Sequence, residues 1–219
     1  MIFPHPFQSD EDGLLAFGGD LTPSTLVTAY RWGIFPWYSN PPILWWFTNP
    51  RCIIYPSKVK ISKSMRSYFN QNKFQVTVDS CFTKVLDQCA QIPRKDQAST
   101  WISKDMISAY SLLFQQGYAH SIEVWYNEEL VGGLYGLSIG KIFYGESMFS
   151  KMSNASKFGF IVLCRYLEKQ GCLLIDCQQE TEHLKSMGAE SISKEKFISH
   201  LKTNMRHKDL SINWEKKLL

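Results

Sequence analysis

Three polar residues stand in apolar or small surroundings: Glu146, Asp176 and Gln178. Glu146 ends the run Ile142-Phe143-Tyr144-Gly145, and Asp176 and Gln178 end the run Leu173-Leu174-Ile175. Side chains two apart on a strand share a face, so Asp176 and Gln178 can act together. An acid placed there can take or relay a proton during acyl transfer. It can equally be a structural carboxylate satisfied by its neighbours, and the residues alone leave both readings open. A second unusual stretch is Phe35-Pro36-Trp37-Tyr38-Ser39-Asn40-Pro41-Pro42-Ile43-Leu44-Trp45-Trp46-Phe47. Its prolines exclude helix, so it reads as a rigid aromatic loop. Such a loop is either a stacking platform for a base or peptide ring, or the lid of a small core.

Other chemistries lack their residues. There is no GxSxG, no P-loop and no GxGxxG. The six cysteines (Cys52, Cys81, Cys89, Cys164, Cys172 and Cys177) form no CxxC pair, and most lie in apolar stretches. They read as reduced thiols rather than a disulfide frame or zinc site. The five histidines are scattered without an HxxxH, so no metal is expected.

A net charge of +4 is unevenly placed. Residues 1–20 carry Asp10, Glu11, Asp12 and Asp20 and no Lys or Arg. Residues 21–78 carry no acid but hold Arg31, Arg51, Lys58, Lys60, Lys63, Arg66 and Lys73. That asymmetry suggests a polyanion partner, with a solvated basic face as the plain alternative. No apolar run approaches the length of a membrane span, and the acidic start does not suit a signal peptide, so a cytoplasmic protein is expected.

The elements that must position these residues can be read from periodicity. Thr22 caps and Pro23 opens a first helix that Gly33 stops. Cys52–Tyr55 reads as a strand. Ser62 to Asn70 reads as a helix, with Ile61, Met65, Tyr68 and Phe69 on one face and Lys63 and Arg66 on the other. Phe74–Val78 alternates as a strand, and residues 80–90 and 103–116 read as helices. Three close strands follow at His120–Tyr126, Leu130–Ser138 and Ile142–Ser147. An apolar helix near Ala155–Gln170, a buried strand Leu173–Cys177, and short helices near 181–187 and 194–204 complete the chain. An antiparallel meander followed by a buried helix and strand predicts an α+β fold. The expected arrangement is a small N-terminal domain, residues 1–50, and an acetyltransferase-like (GNAT-like) mixed-sheet domain, residues 51–219. A CoA-dependent acetyltransferase would need a glycine-rich pyrophosphate turn. The stretch Gly145-Glu146-Ser147-Met148-Phe149-Ser150-Lys151-Met152-Ser153-Asn154 has bulk there instead, so no CoA is expected.

Seven collinear segments resemble the leucyl/phenylalanyl-tRNA–protein transferase family. They are Gly13–Leu21, Tyr30–Trp37, Ile43–Trp46, Thr100–Ile102, His120–Trp125, Gly145–Ser150 and Leu174–Gln178. The resemblance implies transfer of Leu or Phe, and less well Met, from aminoacyl-tRNA to proteins starting with Arg or Lys. No ATP, CoA or metal is implied. It assigns Trp37 and Trp101 to the 3′-terminal adenosine, and Leu134, Phe143, Gly145, Met148, Ser150 and Ile175 to the pocket for the transferred side chain. Gln178 would contact the attacking amine, Asp176 would orient Gln178 and take up proton charge, and Glu146 would hold or orient the cationic acceptor. Lys58, Lys60, Lys63, Arg66 and Lys73 would bind tRNA in a salt-sensitive way. A monomer is the expected state. The rivals are another aminoacyl-tRNA-dependent transferase of this fold, a CoA-dependent acetyltransferase, and a non-catalytic RNA-binding module.

Overall fold

The first helix forms where its caps predict. In the computed structural model, which describes residues 1–92, 102–206, 214 and 216–219, helix α1 spans Pro23–Arg31. Thr22 Oγ1 accepts the Thr25 N–H, and Gly33, at φ +72°, turns the chain out of the helix. The left-handed conformation suits glycine, and a Cβ there would also strike the Phe197 and Leu201 side chains.

The aromatic stretch is not the loop its prolines suggest. Strands β1 (Leu14–Phe17), β2 (Phe35–Pro36) and β3 (Leu44–Trp46) form a three-stranded antiparallel sheet with β3 central. A proline in an edge strand costs no ladder bond when its nitrogen faces outward, which is how Pro36 fits.

The large sheet has seven strands. They are β4 (Arg51–Ile54), β5 (Gln75–Val78), β6 (Ala119–Tyr126), β7 (Glu129–Ile139), β8 (Ile142–Ser150), β9 (Leu174–Gln178) and β10 (Glu190–Ile192). Their spatial order is β10-β4-β9-β8-β7-β6-β5, and only β8 and β9 run parallel. This is the mixed sheet that the strand–helix order predicts. Strand β10 is additional: three residues are too few to show a period. Strand β8 runs on to Ser150, so strand occupies most of Gly145–Asn154, where a pyrophosphate turn would have to lie.

Helix α5 (Ala155–Lys169) covers one face of the sheet, together with α2 (Lys63–Asn70). Phe69 of α2 stacks on Phe158 of α5 at 4.1 Å between ring centroids. Burying a ring such as Phe158 contributes about 1.5–3 kcal/mol. The other face carries α1, the three-stranded sheet, α3 (Phe82–Gln91), α4 (Lys104–Gln115) and α7 (Lys194–Met205) in one apolar cluster. A short helix α6 (Glu182–Ser186) precedes β10. No described helix is long and apolar enough to cross a membrane.

Candidate active site

Two irregularities in the sheet make the site. Strands β8 and β9 pair through Ile142↔Leu174, Phe143↔Ile175 and Tyr144↔Asp176. Beyond that point β8 continues against β7, and β9 turns to β4. A split opens between them, with Gly145 and Glu146 on one lip and Gln178 on the other. Gly145 lies where the split begins: a Cβ there would meet nothing nearer than Asp176 O at 3.7 Å.

The first irregularity is a bulge in β8. Tyr135 pairs with Ser147 and Gly136 with Gly145, which leaves Glu146 unmatched. A bulged residue re-aims its side chain. The Glu146 carboxylate enters the face of α1 and α4, where Oε2 accepts the Tyr110 hydroxyl at 2.9 Å. The Tyr110 and Tyr30 hydroxyls are 2.5 Å apart, and both rings are fully buried. Burial pushes the Glu146 carboxyl up to about 7, against the opposing hydrogen bonds of Tyr30 and Tyr110. The Asp176 charge adds to the rise and Arg51 opposes it. Burial likewise lifts both tyrosines well above their ordinary range, so they remain neutral donors. The site thus holds a carboxyl group that changes charge near neutral pH.

The second irregularity is a bulge at Cys177, since Ile53 pairs with Asp176 but Cys52 with Gln178. Gln178 has φ +55°, in the left-handed region. The plain strand of the sequence reading is absent here, and Asp176 and Gln178 send their side chains to different partners. Asp176 is fully buried and binds Arg51 through both oxygens, at 2.7 Å to Nε and 2.6 Å to Nη2. Its Oδ1 also accepts the Gln178 main-chain N–H at 3.1 Å. The Gln178 side-chain Nε2 donates to Glu146 Oε1 at 3.4 Å, a long hydrogen bond. A Gln that donates its amide N–H keeps its carbonyl oxygen as an acceptor.

The expected pocket residues fall into two groups. Leu134 and Met148 are cross-strand partners, as are Phe143 and Ile175. All four belong to the apolar cluster on the α5 face, with Met148 only partly buried. Gly145 sits beside Ile175 at the split. Ser150 is placed apart: it is exposed at the end of β8, and its hydroxyl donates to Met152 O and accepts the Ser156 N–H at the start of α5.

Trp37 is half-buried, tilted against Trp46 at 5.6 Å, and its carbonyl accepts the Trp46 indole N–H at 2.6 Å. Trp101 lies outside the described residues. Lys58, Lys60, Lys63 and Arg66 are exposed. Lys73 is half-buried, its ammonium 4.5 Å above the Tyr68 ring. Among the described residues there is no cluster of His, Cys, Asp or Glu that could hold a metal ion.

Sequence reading missed three members of this network. Arg51 counts there as one base of an acid-free stretch, but it is fully buried and bonded to Asp176. Its signal is position: a charge that opens the wholly apolar strand Cys52-Ile53-Ile54 needs a buried partner. Tyr30 enters the sequence reading only as the start of the segment Tyr30–Trp37 and Tyr110 not at all, because nothing local points to their hydroxyls.

A mixed sheet split around a carboxyl group and an amide offers what acyl transfer asks for, a group that takes a proton and one that aligns an amine. Comparison with known proteins specifies which kind. The family described as "Leucyl/phenylalanyl-tRNA protein transferase" matches residues 53–202, and its N-terminal domain matches residues 19–49. The leucyl/phenylalanyl-tRNA–protein transferase of Hydrogenovibrio crunogenus is 48% identical, over 100% of this chain and 89% of that protein. Those of Psychromonas ingrahamii and Flavobacterium johnsoniae are each 50% identical, over 96% and 93% of this chain and 89% and 96% of theirs. The chain belongs to the leucyl/phenylalanyl-tRNA–protein transferase family: it is an enzyme that moves an amino acid from tRNA to a protein N-terminus.

Proposed function

We propose that the enzyme takes Leu and Phe, and less well Met, from their tRNAs and adds them to proteins beginning with Arg or Lys, marking these for degradation in the cytoplasm. It acts as a monomer. The observation that carries this reading is the split between β8 and β9, which has the Glu146 carboxyl and the Gln178 amide on opposite lips. The donor side chain would enter among Leu134, Phe143, Gly145, Met148 and Ile175. Apolar walls accept Leu, Phe and Met and discriminate weakly between them. Ser150 would act at the outer edge of this pocket through the turn that it holds. Trp37 and Trp101 would pack on the 3′-terminal adenosine, and Lys58, Lys60, Lys63, Arg66 and Lys73 would follow the tRNA backbone.

In the reaction the acceptor's α-amine attacks the ester carbonyl. A C–N bond forms and the ester C–O bond breaks. The amine loses a proton and the ribose oxygen gains one. The Gln178 carbonyl oxygen would accept an N–H of the attacking amine and align it. Both Asp176 oxygens are taken by Arg51, so Asp176 orients Gln178 through the main-chain N–H. The Glu146 carboxylate, charged on the alkaline side of about 7, would hold the cationic acceptor and receive the amine proton.

The test is transfer of labelled Leu to peptides that differ only in their first residue. Peptides starting with Arg and Lys are expected to accept, and those starting with Ala or Asp to fail. Glu146→Gln should raise the KM for the Arg peptide. Equal transfer to all four peptides would contradict the acceptor assignment.

A further inference from the structure

Arg51 makes more specific contacts than a core position requires. Its guanidinium is fully buried, donates Nε and Nη2 to the two oxygens of Asp176, and donates Nη2 again to Gly33 O at 2.9 Å. The rings of Phe35, Phe47 and Phe197 lie 4.9, 5.5 and 4.6 Å from its central carbon. A buried ion pair is a weak source of stability, because desolvation offsets the attraction and a well-packed apolar pair serves about as well. What this pair does provide is a fixed direction. The oxygen that accepts Arg51 Nε is also the one that accepts the Gln178 N–H, and that residue's backbone is left-handed. Non-glycine residues hold that conformation only when their surroundings impose it. Thr48 Oγ1, which donates to Gln178 O at 3.2 Å, fixes the other side of the same residue.

We infer that Arg51 is a positioning residue for the transfer reaction: by clamping Asp176 it sets the left-handed turn that points the Gln178 side chain toward Glu146. The clamp is anchored at Gly33 O and Phe35, so the first 50 residues hold the site in register. Lysine cannot replace it. A planar fork donates to two carboxylate oxygens and a carbonyl at fixed angles, whereas an ammonium is a point donor on a flexible stem. The inference rests on the functional reading above, in which Gln178 aligns the attacking amine.

The experiment is a kinetic double-mutant cycle on the full chain. Arg51→Lys, Gln178→Ala and the double variant are compared with wild type for kcat and KM in Leu transfer from Leu-tRNA to an Arg-started peptide. Leu-tRNA binding and thermal melting are followed in parallel. Arg51→Lys should bind Leu-tRNA like wild type, keep its KM for the peptide, and lose about tenfold to a hundredfold in kcat. In the Gln178→Ala background the same substitution should cost little more, because the clamp acts through Gln178. Losses that multiply in the double variant, or an Arg51→Lys enzyme with wild-type kcat, would overturn the inference. Should Arg51→Lys melt below the assay temperature, Asp176→Asn takes its place with the same expected coupling, and multiplying losses again overturn it. A wild type that transfers nothing to the Arg peptide would overturn the acceptor assignment instead.

Discussion

Glu146 and Asp176 are both acids in an apolar sheet, yet they meet different partners. Asp176 meets a guanidinium and Glu146 meets hydroxyls. Burial moves the Glu146 carboxyl from an ordinary 4.5 up to about 7, so the unfolded chain releases this proton before the folded one does. The stability tied to the protonated group is complete below about 4.5 and is lost as pH rises through 7. Glu146→Gln removes that dependence. Its urea midpoint should therefore fall less than that of the wild type between pH 5 and 8, and parallel curves would contradict this. For Asp176→Ala the expected cost is in folding: an unpaired buried Arg51 destabilises by about 3–5 kcal/mol, which urea unfolding would measure. Loss of activity in that variant is therefore interpretable only beside its stability. Sequence shows that these acids are out of place in apolar runs. It does not show their partners, because Arg51 lies 125 residues from Asp176 and Tyr110 lies 36 from Glu146.

At the level of elements, what repeats along the chain could be read and what depends on a neighbouring strand could not. Helices α1 to α5 and strands β4 to β9 follow from caps and periodicity. The sheet of β1, β2 and β3 does not, since strands of two to four residues among prolines show no period. The two bulges are equally invisible, because a bulge exists only relative to the strand it pairs with. Gly136 shows how tightly the β8 bulge is held: a Cβ there would run into the Tyr144 carbonyl oxygen. Gly136→Ala should destabilise by about 1–3 kcal/mol and displace Glu146, lowering transfer as well as the melting temperature. On α2, Lys63 and Arg66 lie on the exposed face while Met65 is buried. Replacing both with Ala should weaken tRNA binding and reduce its log–log salt slope by up to about two, as loss of two phosphate contacts requires. An unchanged slope would remove α2 from the tRNA path.

Across the whole molecule, the two sheets share one core. Leu26, Tyr30, Trp45 and Phe47 from the first 50 residues lie in the same apolar cluster as Phe82, Tyr110, Tyr135 and Phe197. The sequence reading divides the chain near residue 50, where an aromatic stretch gives way to alternating strands and helices. The shared core is not, because apolar residues carry no label for the surface they cover. The site depends on the same union, since Tyr30 and Gly33 stand on one side of it and Glu146 and Asp176 on the other. A fragment of residues 51–219 is therefore expected to expose that core face and fail to unfold cooperatively in circular dichroism. A cooperative transition matching that of the full chain would contradict the shared core.

The most direct test of the account is transfer of radiolabelled Leu from Leu-tRNA to a protein with N-terminal Arg, without ATP or CoA. The wild type would be run beside Glu146→Gln and Gln178→Ala. Transfer by the wild type is expected, with a loss of about tenfold to a hundredfold in both variants that leaves a measurable rate, and with Leu-tRNA binding and folding retained. Variants that are folded, bind Leu-tRNA and transfer Leu at the wild-type rate would contradict the placement of the reaction in the split between β8 and β9.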